Sequence, residues 1–248
     1  MGGKEPRLVE FLKSLAELYR CLGVDNLVFM SNSKQIKWVC IFEFEGGVRI
    51  SIKYEWLGYG DIVSCVVRRD GSISYIDNEE AFRHYAELAM KDENIRNAVE
   101  ILRMSCGEIK NLVKLMKEAS KPLKEVLKVA SKIGYTGLVL PCGLTYMVMP
   151  KEIYARVPPS IRLTHRLTLT EVRIIHDPQN PNSGNVIINV KANNELRTEI
   201  RTTPPISRVR DISSDVKRAE EVLECIISNY SGGEEEIKRK VALAILYP

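Results

Sequence analysis

The spacing of apolar residues changes along the chain, and these changes predict its elements. Over residues 7–22 the apolar positions recur at helical spacing and stop at Gly23, which predicts an amphipathic helix. Strand-like runs joined by Ser, Asn and Gly turn residues then follow at about 26–31, 36–45, 48–57, 61–69 and 73–76. The first part of the chain therefore predicts a helix followed by a sheet of antiparallel strands.

Helical spacing returns after residue 78. Asn78 or Asp77 is predicted to cap a helix over 79–91, and Asp92 to cap a second over 93–106. A longer helical segment covers 107–133 and contains Pro122, which has no backbone N–H to donate. The segment is therefore predicted either as two helices, with Ser120 as a cap, or as one kinked helix.

The remainder of the chain reads as a β-rich region closed by two helices. Strands are predicted at 138–140, 145–149, 165–176 and 185–191, with Thr202–Pro205 as a linker, and amphipathic helices at 214–230 and 234–246. The predicted class is α+β, with an antiparallel sheet packed with helices and a second β-rich half closed by two C-terminal helices. We expect two domains, 1–133 and 134–248.

Lysines on the segment 107–133 recur every three or four residues. At about 100° per residue they form one row along a helix, opposite an apolar side. Such a row is an ordinary solvated face or, because few glutamates counter it, a surface for a phosphate backbone. The candidate residues are Lys110, Lys114, Lys117, Lys121, Lys124 and Lys128, and Lys132 extends the row.

The hairpin over 36–57 carries interleaved aromatic and basic residues, and its register decides what they do. With Gly46–Gly47 as a two-residue turn, Phe44 faces Arg49. One face is then an apolar core, and the other is a platform on which bases could stack. The candidate residues of that platform are Trp38, Phe42, Phe44, Arg49 and Lys53.

A three-residue loop over 45–47 is the alternative register. Phe44 then faces Val48, every aromatic residue joins the apolar face, and Glu43 lies beside Arg49. This register separates apolar from polar residues more cleanly, and we favour it for that reason.

Composition adds few restrictions. The formal net charge is only +4, but Arg156, Arg162, His165, Arg166 and Arg173 form a second basic stretch. The chain has no signal-peptide pattern and no apolar run long enough for a membrane span, which predicts a cytoplasmic protein. Its two glutamines are few, which is typical of proteins from thermophiles, including archaea.

No catalytic or metal-binding signature stands out. The six cysteines form no C-x-x-C pair, several are predicted to be buried thiols, and a disulfide is conceivable in a heat-adapted cytosol. Cys142 lies at a sharp turn where a nucleophile could be exposed, but no base accompanies it. The spacing of His84, His165 and His176 does not suit a metal. We predict no cofactor and favour a non-catalytic protein.

The order of elements in the first half, together with its aromatic and basic content, resembles the ThermoDBP-type single-stranded DNA-binding proteins of heat-loving microbes. The resemblance implies single-strand binding and transfers no individual residue.

The leading prediction is a non-catalytic nucleic-acid-binding protein, for single strands or for any phosphate backbone. The alternative is a structural or assembly protein in which the apolar helix faces at 7–22 and 214–230 contact a second copy or another protein. A third reading is a metal-dependent nuclease, with Asp25, Glu43 or Glu45 acting beside Lys53, although Ser51 stands where a second carboxylate is expected.

Overall fold

The computed structural model describes residues 4–56, 58–133, 137–149, 152–156, 161–166, 169–175, 185–192, 196–203 and 212–246. Six helices lie in these ranges: α1 Lys4–Leu22, α2 Glu79–Lys91, α3 Glu93–Met104, α4 Cys106–Ile133, α5 Ser213–Tyr230 and α6 Glu234–Leu246. The strands are β1 Asn26–Met30, β2 Ile36–Phe44, β3 Gly47–Trp56, β4 Tyr59–Arg68, β5 Ile73–Tyr75, β6 Gly137–Leu140, β7 Leu144–Met149, β8 Glu152–Arg156, β9 Ile161–Arg166, β10 Leu169–Ile175, β11 Asn185–Ala192 and β12 Leu196–Thr203. The chain is an α+β protein, as predicted.

The chain divides into two compact units. The first comprises Met1–Lys110, Asn182–Val186 and Glu199–Asp211. The second comprises Asn111–Pro181, Ile187–Thr198 and Ile212–Pro248. Within the described ranges, every helix is too short or too polar to cross a bilayer.

The sheet of the first unit has the order β5-β4-β3-β2-β1-β12. Its strands are antiparallel from β5 to β1, whereas β12 runs parallel to β1 and pairs Leu27 with Ile200. The sheet is therefore mixed. Neither β12 nor its parallel pairing was expected, and the predicted linker over 202–205 is wrong for Thr202 and Thr203, which belong to this strand.

Helices α1, α2 and α3 pack on one face of this sheet and form the core of the first unit. Alternate residues of a strand point to the same face, so β2 and β3 present Val39, Ile41, Ile50 and Ile52 to these helices. All four are essentially inaccessible to solvent. The helices begin where the caps predict, because the side chain of Asn78 accepts from the N–H of Ala81 and Asp92 does the same for Ile95.

The β2–β3 hairpin adopts neither of the two registers expected from the sequence. Phe44 pairs with Gly47, and the turn consists of Glu45 and Gly46, whose φ angles are 43° and 75°. The ladder is shifted by two residues from the Gly46–Gly47 alternative. Side chains alternate between the two faces with a period of two, so a shift of two residues does not change the face of any side chain. Each residue therefore lies on the face predicted by the Gly46–Gly47 alternative. The favoured three-residue loop is wrong.

Helix α4 is continuous across Pro122, so the expectation of two helices is wrong. Ser120 does not cap a new helix, since its hydroxyl donates to the carbonyl of Lys117 at 2.7 Å. At its first residue, Cys106, the helix is joined by a disulfide to Cys21 in the last turn of α1.

In the second unit, β6, β7 and β8 form a three-stranded antiparallel sheet, and β9 pairs with β10. The strand predicted over 165–176 is present as β10 over Leu169–Ile175, but its first two residues, His165 and Arg166, belong to the separate strand β9, which was not expected. Strand β8 was also not expected. The two predicted C-terminal helices are present as α5 and α6, and α5 presents a buried apolar side that includes Val216, Leu223 and Ile226.

Candidate nucleic-acid interface

The side of the sheet opposite the helices carries aromatic and basic residues. We call it the aromatic face and define it by the residues that the β2–β3 ladder directs there: Trp38, Cys40, Phe42 and Phe44 on β2, and Arg49, Ser51, Lys53 and Glu55 on β3. An irregularity between Ile36 and Trp38 allows Ile36 to point into the core while Trp38 lies on the aromatic face. The platform predicted from the two-residue turn is thus assembled on one face.

The aromatic face has three rows that run across the strands. The first joins Trp38, Lys53 and Ile62, the second Cys40, Ser51 and Ser64, and the third Phe42, Arg49 and Val66. Side chains in the second row are small, and those of Ser51 and Ser64 are buried. Trp38, Phe42 and Phe44 are half-buried, which leaves part of each ring accessible to a ligand.

Arg49 is held in place on this face. Its guanidinium carbon lies 5.3 Å from the centre of the Phe44 ring and 5.8 Å from that of Phe42. Its Nη2 donates to Ser64 Oγ at 3.0 Å, and Ser64 in turn lies 3.1 Å from Ser51 Oγ. The Nε of Arg49 is buried and has no hydrogen-bond acceptor in the described part of the chain. These contacts fix the direction in which the remaining N–H groups point.

Charged residues surround the rings. The strand registers place Lys37, Arg68 and Arg201 near the edge of the aromatic face, in addition to Arg49 and Lys53. Two of these cations are paired, Lys37 with Glu55 at 2.9 Å and Arg201 with Glu199 at 3.3 Å. On β1–β4 and on residues 199–203 of β12, which belong to the first unit, five cations and two carboxylates therefore occupy this side of the sheet.

Ionisation on the aromatic face follows from these contacts. The hydrogen bond from Lys37, with its charge, holds the pKa of Glu55 below the usual 4.5. Burial raises the pKa of Cys40 to about 11, and the carboxylate of Glu199 adds to the effect. At neutral pH, Glu55 is therefore charged and Cys40 is a neutral thiol.

The predicted lysine row lies along the solvent side of α4. Leu112, Met116, Leu123 and Val126 on its other side are buried. Lys114, Lys128 and Lys132 have carboxylates 3.4–3.9 Å away, in Glu118, Glu125 and Glu234. No carboxylate of the described residues pairs with the other four lysines of the row, which are Lys110, Lys117, Lys121 and Lys124.

The other candidates are not assembled into a site. The ladder places Glu43 and Lys53 on opposite faces of the hairpin, so the carboxylates and lysine of a nuclease are not brought together, and Glu43 does not pair with Arg49. Cys142 is not a nucleophile, because it forms a disulfide with Cys225. In the described part of the chain, no three His, Cys, Asp or Glu side chains are grouped for a metal.

The three histidines and the second basic stretch were also considered from the sequence. His84 is exposed on α2, with its ring edge against Tyr85. His176 and the side chains of the second basic stretch, Arg156, Arg162, His165, Arg166 and Arg173, lie outside the described residues.

Sequence reasoning missed two features of the first unit. Ser64 anchors Arg49, but its role depends on pairing between β3 and β4. A cavity of about 380 Å³ lies between the end of α1 and the β2–β3 turn, lined by Tyr19, Arg20, Asp25, Glu43 and Arg69 among others. The charged residues that line this cavity come from separate elements, so no local sequence pattern predicts it.

Comparison of the chain with family models, with curated protein sequences and with solved structures finds no match. A functional assignment therefore rests on the geometry of the chain itself.

Proposed function

We propose that this chain is a non-catalytic protein that binds single-stranded nucleic acid. The observation that carries the proposal is the aromatic face, where three half-buried rings alternate with cations on a sheet whose other side is the core. Proteins that bind single strands commonly combine stacking rings with a basic surface along the backbone.

Trp38, Phe42 and Phe44 would stack bases, and each stacked base is worth about 1–3 kcal/mol. Lys53, Arg68 and the paired Lys37 would contact phosphates at the edge of the face. The lysine row would add phosphate contacts, which are strong at low salt and carry no sequence information.

The rings favour single strands over duplexes. A base inside a duplex is already stacked on both sides, so its π-face cannot reach a ring on a sheet unless the duplex opens. A single strand can turn its bases toward the rings while its backbone stays at the edge.

The assembly alternative receives less support. The apolar residues of α1 and α5 that could contact a partner are buried, including Leu12, Leu15, Leu223 and Ile226. Large exposed apolar side chains in the described ranges are instead scattered over several elements, at Tyr59, Ile62, Ile76, Met104 and Leu243.

We further propose that the protein acts in the cytoplasm of a heat-adapted microbe, either a bacterium or an archaeon. Glutamine is depleted, and the structure contains two disulfides. Disulfides are rare in the cytosol of mesophiles but frequent inside hyperthermophiles.

Fluorescence anisotropy tests the proposed function. Labelled single-stranded DNA, duplex DNA and RNA of equal length would be titrated with the protein over a series of salt concentrations. We expect binding that weakens with salt and is tighter for the single strands than for the duplex. Absence of binding to all three at low salt would contradict the proposal, and tighter binding to the duplex would exclude the stacking role.

A further inference from the structure

Arg49 occupies an unusual place among the cations of the aromatic face. It stands in the same row as Phe42, its guanidinium lies against two rings, and Ser64 holds one of its nitrogens. From this position we infer that Arg49 recognises guanine, by donating two N–H groups to O6 and N7 of a base stacked on the aromatic face. The inference rests on the proposed function and adds a base preference to it.

The guanidinium keeps donors for a ligand. It has five N–H bonds, of which one donates to Ser64 and one, on Nε, is buried. Both N–H bonds of Nη1 and the second of Nη2 have no partner in the described part of the chain. Because these groups are already oriented, binding a planar acceptor pair costs little side-chain entropy.

The position of Arg49 favours a base over a phosphate. The guanidinium lies 5.8 Å and 5.3 Å from the ring centres of Phe42 and Phe44, so the edge of a base stacked on either ring would lie beside it. Other cations on this side of the sheet are available for phosphates, namely Lys53 in the row of Trp38, Lys37 beside it and Arg68 on β4. Arg49 therefore faces the part of the ligand that differs among nucleotides.

Guanine fits the available donors best. Two neighbouring N–H groups require two neighbouring acceptors, and guanine presents O6 and N7 side by side on an edge that stays accessible while the base stacks. Adenine has an amino group beside N7, and thymine has N3–H beside O4. Cytosine also has two neighbouring acceptors, N3 and O2, but O2 lies next to the glycosidic bond, where the sugar restricts the approach of a guanidinium. An arginine that donates to both O6 and N7 is the commonest base-specific contact in protein–DNA complexes.

Competition binding tests the inference with oligothymidine of about 12 nucleotides, a length within the range that single-strand binders cover. Three separated thymines are replaced by guanine, adenine or cytosine, which avoids runs of guanine that fold on themselves. We expect the guanine oligonucleotide to bind about tenfold more tightly than the others, as one bidentate contact provides.

Two variants separate base recognition from charge. Arg49→Lys keeps the positive charge but cannot donate two parallel N–H bonds, so the guanine preference should disappear while binding to oligothymidine persists. Lys53→Ala is the matched control, and it should weaken binding to all four oligonucleotides by a similar factor. Circular dichroism establishes that both variants are folded.

The outcomes distinguish the two proposals. If no oligonucleotide binds, the proposed function fails. If all bind equally, or if cytosine or adenine is preferred, guanine recognition fails and single-strand binding stands. Retention of the guanine preference in Arg49→Lys would also overturn the role of Arg49.

Discussion

The aromatic face and the lysine row present positive charge in two different ways. On the aromatic face, Arg49 is fixed by two rings and a serine, and the rings themselves are half-buried. In the row, ammonium groups at the ends of flexible side chains extend into solvent, and the Lys114 side chain is 75% exposed. The first arrangement restricts geometry, and the second supplies only charge.

This difference teaches which part of binding each region can provide. Exposed charges act through counterion release, so their contribution falls steeply with salt and is insensitive to base identity. Rings and an oriented guanidinium act through stacking and hydrogen bonds, which depend on the base and little on salt. The two contributions can be removed separately.

The largest expected effect concerns the stability of the two units, each of which has its own disulfide. Cys21–Cys106 closes a loop with a sequence separation of 85 in the first unit, and Cys142–Cys225 one of 83 in the second. We expect removal of either one, as Cys21→Ser with Cys106→Ser or Cys142→Ser with Cys225→Ser, to cost roughly 4 kcal/mol.

Chemical unfolding with and without a reductant measures this cost. Cys40→Ser removes a thiol outside both disulfides and is the control, which should keep the sensitivity of the unmodified protein to reductant. If the unmodified protein is equally stable with and without reductant, neither disulfide stabilises the fold.

The second prediction removes charge from the row. Replacing Lys117, Lys121 and Lys124 by Glu should lower affinity for single-stranded DNA by two to three orders of magnitude at low salt. The salt dependence should become shallower by about two units, because each lost phosphate contact contributes about 0.7. The guanine preference should remain.

A matched charge change elsewhere provides the control. Lys13, Lys91 and Arg96 are exposed on α1, α2 and α3, so replacing them by Glu alters net charge equally. If this variant loses as much affinity as the row variant, the row is only part of a general basic field.

The third prediction removes a ring. Trp38→Ala should weaken single-strand binding by about 5- to 100-fold, in line with the loss of one stacked base, while the salt dependence stays unchanged. Trp38→Phe retains a ring and should lose much less. If the variant instead changes the salt dependence and keeps its affinity at high salt, Trp38 does not stack a base and affects only the electrostatic part of binding.

The smallest expected effect concerns one carboxylate in each region that would compete with phosphate for a lysine. Lys132 and Lys238 lower the pKa of Glu234, as Lys37 does for Glu55. A lowered pKa means that the ion pair stabilises the fold above the ordinary value of 4.5 and that this stabilisation is lost as pH falls through the lowered pKa. Carbon NMR of the carboxyl groups follows both titrations.

Removing the carboxylates releases the lysines for phosphate. We expect Glu234→Gln and Glu55→Gln each to raise affinity at low salt by less than tenfold, since each frees one lysine. Glu55→Gln frees Lys37, and Glu234→Gln frees Lys132 while Lys238 stays paired with Glu235. Glu100→Gln on α3 removes an exposed carboxylate that pairs with no lysine or arginine in the described ranges, and it should leave affinity unchanged.

Local structure was predictable because each element has its own signal. Asn78 and Asp92 cap α2 and α3 as expected, and strands β1 to β5 lie within a few residues of their predicted bounds. The alternation of side chains along the strands also predicted the correct residues of the aromatic face. It did so only in the two-residue-turn alternative, which we did not favour. Clean separation of apolar from polar residues was the wrong criterion at this hairpin.

The turn itself was not predictable from its two glycines. Gly46 has the left-handed conformation, but the second left-handed residue is Glu45. Gly47 lies in the ladder, where a Cβ would come within 2.6 Å of a Val66 methyl group, so the need for glycine there arises from β4. Contacts of this kind are distant in the chain, as are the disulfide pairings and the position of β12.

The pairing of β1 with β12 also determines the order in which the fold can be completed. Leu27 can pair with Ile200 only after most of the chain has been synthesised. Such a contact closes a long loop, which slows folding relative to the local hairpins of β2 to β5. Until then one edge of β1 lacks its partner, and a fragment ending at residue 133 would carry that unpaired edge as a site for aggregation.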